Sequence, residues 1–121
     1  MSRGILSTKF ISGLVIFLII FTGLHAQHSE AIGKTKAYPN PFRESITIEY
    51  QLQQAGKVEI WVNNILGQQI RSLVKEDQQV GWQRVTWDGM DDSGSLVGTG
   101  IYYITLLTRS EKSVIKVMKT K

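Results

Sequence analysis

From Tyr38 onward this chain takes on a period of two, alternating apolar and polar residues in short runs that suit half-buried strands and leave little room for a helix. Ile46, Ile48, Tyr50 and Leu52 alternate with Thr47, Glu49 and Gln51, and Val58, Ile60 and Val62 alternate with Lys57, Glu59 and Trp61. Gly56 marks a turn between these two strands. Residues 63–74 contain Ile65, Leu66, Ile70, Leu73 and Val74, which also fit a helical spacing. Asn64 and Gly67, however, take the first and last places of a four-residue turn, so a hairpin is predicted, with a strand at about 68–74 and a loop at 75–81. Val85 and Trp87 then alternate with Arg84 and Thr86. Residues 100–107 are apolar at both parities, as in a central strand. The last strand runs through 113–119, with Lys116 and Lys119 expected to face solvent. About seven short strands separated by turn signals define an all-β antiparallel sandwich.

The first quarter of the chain has a different character. Arg3 and Lys9 precede an almost unbroken apolar run from Phe10 to Leu24, and small Ala26 follows. A spanning helix needs about 20 apolar residues; this run is shorter and is interrupted by Gly13, Thr22 and Gly23, which identifies residues 1–26 as a cleaved signal peptide. Residues 27–37 are polar and aperiodic, a flexible lead-in to a domain at 38–121. Cleavage removes Arg3 and Lys9, so the 14 Lys and Arg of the whole chain fall to 12 against 10 Asp and Glu. A near-neutral domain without a dense basic run is not built to hold nucleic acid. With no cysteine in the chain, disulfides are excluded and the apolar core alone must hold the domain.

Residues 87–103 concentrate Asp88, Asp91 and Asp92 between aromatic residues and glycines. Counted from Asp88, the sixth place of a calcium loop falls on Ser93 and the twelfth on Thr99, where glycine and glutamate are required. Counted from Asp91, Leu96 falls on the glycine place. A type I turn over Asp91–Gly94 accounts for more of the residues, with Trp87 ending one strand in the core, Tyr102 beginning its partner and a long hairpin loop between them. Trp61, Trp82 and Tyr103 fall on outward parities and could share an exposed patch.

Catalytic chemistry finds little support. His25 leaves with the signal peptide and His28 lies in the lead-in, so no imidazole falls on a strand. No Cys–His or Ser–His–Asp set can be assembled. Glu49 and Glu59 could form a carboxylate pair on neighbouring strands, though on a solvated face without a cleft. Glycines 94, 98 and 100 lead into a strand, not the helix that a phosphate or dinucleotide loop requires. No enzyme activity, cofactor, metal or small-molecule substrate is expected.

Four stretches in order, "YPNPF" at 38–42, "NNILGQQI" at 63–70, "WDGMDDSGSLVGTGIYYITL" at 87–106 and a Lys-containing last strand, resemble the C-terminal sorting domain (type A) of type IX secretion cargo. The pattern is also similar to the immunoglobulin-like domain of flagellar hook-capping proteins. The resemblance implies a seven-stranded immunoglobulin-like sandwich. It further implies export to the periplasm, recognition by outer-membrane type IX components, and surface attachment or release. Asn63 and Asn64 replace an aromatic residue and an aspartate usual in the family. Such a domain normally trails a passenger, so the frame reads as a remnant of a longer protein or as a stand-alone exported interaction or adhesion module. Membrane contact is expected only through the signal peptide.

In "YPNPF", Pro39 and Pro41 fix an extended path, and Tyr38 and Phe42 are expected to clamp the sandwich edge without donating ladder bonds. Tyr38, Pro39, Asn40, Pro41 and Phe42 are candidate recognition residues because edge strands are common sites of partner pairing. By resemblance, Lys116, Lys119 and Lys121 at the basic end of the last strand join them.

Overall fold

A computed structural model describes residues 31–121; the expected signal peptide and residues 27–30 lie outside the described residues. The strands are β1 (Ile32–Tyr38), β2 (Ile46–Leu52), β3 (Gly56–Asn63), β4 (Gln69–Gln78), β5 (Gly81–Trp87), β6 (Gly100–Leu107) and β7 (Lys112–Lys119). Two antiparallel sheets result, one ordered β1-β2-β5 and the other β4-β3-β6-β7, with no helix among the described residues. Relative to an immunoglobulin constant domain, the fourth strand has moved from the first sheet to the second.

The alternating residues meet between the sheets. Ile46, Ile48, Tyr50 and Leu52 of β2 form one core with Val58, Ile60 and Val62 of β3 and Tyr102, Ile104 and Leu106 of β6. Each large aliphatic side chain so buried contributes about 1.5–3 kcal/mol, so these central strands dominate the drive to fold. Trp87 is 0% exposed, with its ring centroid 5.4 Å from Phe42 and 5.3 Å from Tyr102. The Tyr102 hydroxyl donates back to the Gly98 carbonyl at 2.7 Å, the tyrosine corner that immunoglobulin-like sandwiches place at the start of their sixth strand.

Several expected features take a different form. Residues 31–37 are not a flexible lead-in: most of them form β1, which pairs with β2 from Ile32↔Leu52 to Tyr38↔Thr47. Only Ile32 and Ala37 put apolar side chains on the inner parity, and the register breaks between Ile32 and Thr35, which hides the period in the sequence. Residues 75–78 are strand, not loop. β4 continues to Gln78 because Lys75 lies opposite Glu59 and Asp77 opposite Lys57, and opposite charges across a ladder are favourable. The stretch after Trp87 is not a hairpin loop; it carries the chain from β5 in one sheet to β6 in the other.

The Asn64–Gly67 hairpin forms as expected. The Asn64 side-chain oxygen accepts from the N–H groups of Leu66 and Gln68, each at 3.0 Å, and Gly67 closes the turn at φ 82°, a conformation that favours glycine. Asparagine therefore performs the turn chemistry of the usual aspartate.

Replacing Trp87 with alanine should destabilise the purified chain by about 3–5 kcal/mol. That is comparable with the whole stability of a small domain. Replacing exposed Trp82 should change stability by no more than about 0.5 kcal/mol. Urea unfolding followed by far-ultraviolet circular dichroism checks both.

Candidate recognition edge

The two stretches singled out for recognition, "YPNPF" and the basic last strand, form one hydrogen-bonded unit. β7 is the outer strand of its sheet, and its outward backbone groups need partners or water. Asn40 supplies them from a side chain: its amide donates to the Lys116 carbonyl at 3.1 Å and its carbonyl oxygen accepts from the Met118 N–H at 3.0 Å. Phe42 continues the ladder with backbone. Its N–H donates to the Met118 carbonyl at 2.9 Å, and its carbonyl accepts from the Thr120 N–H at 2.8 Å. Phe42 thus donates a ladder bond where none was expected, because burial of its ring beside Trp87 brings its backbone alongside β7. Pro39 and Pro41, which have no N–H to offer, flank Asn40, and both of their preceding peptide bonds are cis.

The lysines do not act as one set. Lys116 is exposed on the outer face of the sheet, opposite Tyr103. Lys119, three positions on, falls on the opposite parity and is half-buried; a Cβ added at Gly89 would stand 3.0 Å from its Cε. The expectation that both face solvent is corrected by this alternation. Lys121 is exposed and, with Lys119, borders an open groove of about 580 Å3 that also touches Ile65, Ile101 and Met118. On the other side of this edge, Pro39, Pro41, Arg43 and Thr120 border a shallow depression of about 520 Å3.

The outer faces of the two sheets differ. On β3, β6 and β7 the outward residues include Trp61, Ile101, Tyr103, Leu107, Val114 and Met118, and Thr105 among them is only 2% exposed. The other outer face is polar. Glu49 there accepts from the Tyr38 hydroxyl and lies 3.3 Å from Arg84 and 3.8 Å from Lys36. The Tyr38 bond, with those cations, holds the Glu49 carboxyl below its ordinary range, and the same bond raises Tyr38. Exposed pairs of this kind stabilise little. Trp82 belongs to this second face, so no patch of three aromatics exists; Trp61 and Tyr103 share the first face alone. Glu49 and Glu59 likewise sit on different sheets and make no pair.

The carboxylates of the acidic loop are taken up by its own turns and by β4. Asp91 Oδ1 accepts from the Ser93 hydroxyl at 2.6 Å and from the N–H groups of Ser93 and Ser95 at 3.0 Å. Asp88 Oδ1 accepts from the Met90 N–H at 3.0 Å and from Arg71 at 3.2 Å, and Arg71 also donates to the Met90 carbonyl at 3.2 Å. Asp92 turns outward to β4, where its Oδ1 accepts from the Ser72 N–H at 3.0 Å. Among the described residues no cluster of three or more carboxylates or imidazoles is arranged to hold a metal.

These features define an immunoglobulin-like β-sandwich closed at one edge by an asparagine side chain and a proline-flanked segment. Residues 42–112 match the FlgD Ig-like domain, and the chain belongs to that family. No curated protein matches it. Among solved structures, it superposes on dimeric latent PorU from Porphyromonas gingivalis with a TM-score of 0.58 at 18% identity, covering 71% of this chain and 9% of that one. It superposes on PorZ, described as an essential bacterial surface component of the type-IX secretion system of the same organism, with a TM-score of 0.51 at 22% identity, covering 72% and 11%. FLGD from P. aeruginosa gives 0.47 at 16% identity, covering 74% of each chain. The chain thus spans about a tenth of the Porphyromonas proteins, and the likeness is one of fold. Of the candidate recognition residues, only Phe42 falls within the family match.

Asn40→Ala should cost about 1 kcal/mol, the net worth of a typical hydrogen bond, and should speed amide exchange at Met118 selectively; hydrogen exchange read by NMR checks this. Asp91 gives a pH prediction. Its carboxyl is held below the ordinary value of 3.8, first by the Ser93 hydroxyl bond. Its stabilisation is therefore complete above that value and is lost as pH falls through the lower folded one. Asp91→Asn should flatten this acid limb in unfolding scans taken across that range.

Proposed function

We propose that this chain is a non-catalytic sorting domain, exported through its signal peptide and recognised by outer-membrane type IX secretion components for delivery to the cell surface, where it is attached or released. The observation that carries the reading is the union of "YPNPF" with β7: the two ends of the motif set that resembles sorting domains are joined by Asn40 and Phe42 into one edge. A partner reading that edge meets Tyr38, Pro39 and Pro41 together with exposed Lys116 and Lys121. The fold shared with PorZ, itself described as a type-IX surface component, supports the same direction. Recognition by a folded edge needs neither cofactor nor reactive group, which agrees with the internal use of the loop aspartates.

A reporter fused ahead of Ala31, so that β1 remains whole, provides the test in a type IX-competent host. The unaltered domain should deliver the reporter to the surface. Lys116→Glu with Lys121→Glu should reduce delivery by about tenfold, equivalent to ~1.4 kcal/mol of recognition, with melting temperature unchanged. Equal delivery by the folded variant would overturn the role of these lysines. Delivery by the unaltered domain in a host lacking type IX components would favour the stand-alone module instead. Deletion of 114–121 is the poorer test, because it removes buried Val117 along with the lysines.

A further inference from the structure

Two sheets present four edges, and three of them are guarded. β7 is covered by Asn40 and Phe42. β4 is covered at its start by Asp92, whose N–H donates to the Ile70 carbonyl at 2.9 Å while its carboxylate takes the Ser72 N–H. Farther along, β4 carries the consecutive charges Lys75, Glu76 and Asp77. β1 carries outward Lys34 and Lys36 and a register break. Covering, charging and kinking are the devices by which sheet proteins prevent strand addition.

β5 is the least guarded of the four: it is neither covered nor kinked, and it carries one charge. It hydrogen-bonds to β2 on one side, and no strand lies on its other side among the described residues. Its seven residues contain no proline and a single charge, Arg84, already 3.3 Å from Glu49. Val80 and Trp82, 61% and 56% exposed, stand at its start, and Val85 on the inner parity is only partly buried.

We infer that the outer edge of β5 accepts an extended segment of another protein as an added strand, one with a carboxylate opposite Arg84 and apolar residues on its inward parity. Arg84 is the midpoint of Gly81–Trp87, so a second copy pairing antiparallel about that midpoint would set Arg84 against Arg84, and like charges directly opposite destabilise a ladder. β2 illustrates the accepted chemistry: it places Glu49 opposite Arg84 and Gln51 opposite Trp82. Added backbone bonds would supply affinity and alternate side chains specificity. This site lies on strands other than the Asn40–β7 edge and stands apart from the sorting role.

The probe is an end-blocked peptide of residues 45–53, SITIEYQLQ, titrated into the isotope-labelled chain. Binding with a dissociation constant on the order of 1 mM or tighter should shift and protect amides of Gly81–Trp87. Two further peptides, N-methylated at alternate residues, should differ by at least about tenfold, since only one parity donates to the edge. Arg84→Glu in the protein should weaken binding, and a peptide carrying Glu49→Lys should restore it. Equal binding by the two methylated peptides, shifts confined to another surface, or no binding would overturn the inference. So would shifts reaching β1, which signal displacement of β2, or a dimer forming through β5 without peptide.

Discussion

Trp87 stands where the parts of this domain converge. It ends β5 in one sheet, packs against Tyr102 at the start of β6 in the other, and holds Phe42 of the segment that closes β7. Its indole N–H donates to the Met90 carbonyl at 2.9 Å, which ties the acidic loop to the same point. In a chain without cysteine, this aromatic cluster joins the two sheets by packing alone. Aromatic pairs at such distances contribute about 0.5–1.5 kcal/mol beyond their buried area. The candidate edge, the loop and the strand crossing from sheet to sheet therefore depend on one buried ring.

Around that ring, single polar side chains do work that larger sheets assign to whole strands. Asn40 pairs with β7, Asp92 with β4, and Asn64 and Asp91 with the backbone of their own turns. Each has a short side chain whose oxygen can mimic a backbone carbonyl. The loop aspartates thus resemble a metal site in composition while their contacts are those of turns and edge caps. Asn40 is the distinctive case, since it both donates and accepts and so matches a strand's alternating groups as a carboxylate could not.

Much of the fold was legible because parity and turn chemistry are local. The inward sets of β2 and β3, the two-sided apolar run of β6, the Asn64 hairpin and the Asp91 turn could all be read within a few residues. What escaped depends on distant partners. β1 shows too few apolar residues to reveal its period, and the charged end of β4 reads as loop until Glu59 and Lys57 stand opposite it. Parity also cannot say which sheet a strand joins, so in the sequence the crossing after Trp87 reads as a hairpin and Glu49 and Glu59 read as neighbours. At the candidate edge, both motifs were visible but their union was not, since Asn40 bonds to residues 76 and 78 positions away. The spacing of Lys119 from Lys116 by itself puts the two on opposite faces, against the expectation that both face solvent. The core position of Tyr102 is legible in the strand pattern, while the only sequence signal for its corner bond to Gly98 is the close spacing of Gly98, Gly100 and Tyr102.

The direction of the outer strands gives the domain a mechanical polarity. Ile32 lies beside the turn that begins β7, its N–H donating to Glu111 at 3.2 Å, whereas Phe42 runs parallel to Lys119 at the far end. Tension between a tether before Ile32 and another beyond Lys119 would act along the strand axes. It would load the β1–β2 and β6–β7 ladders in shear, many bonds at once, instead of peeling them open one by one.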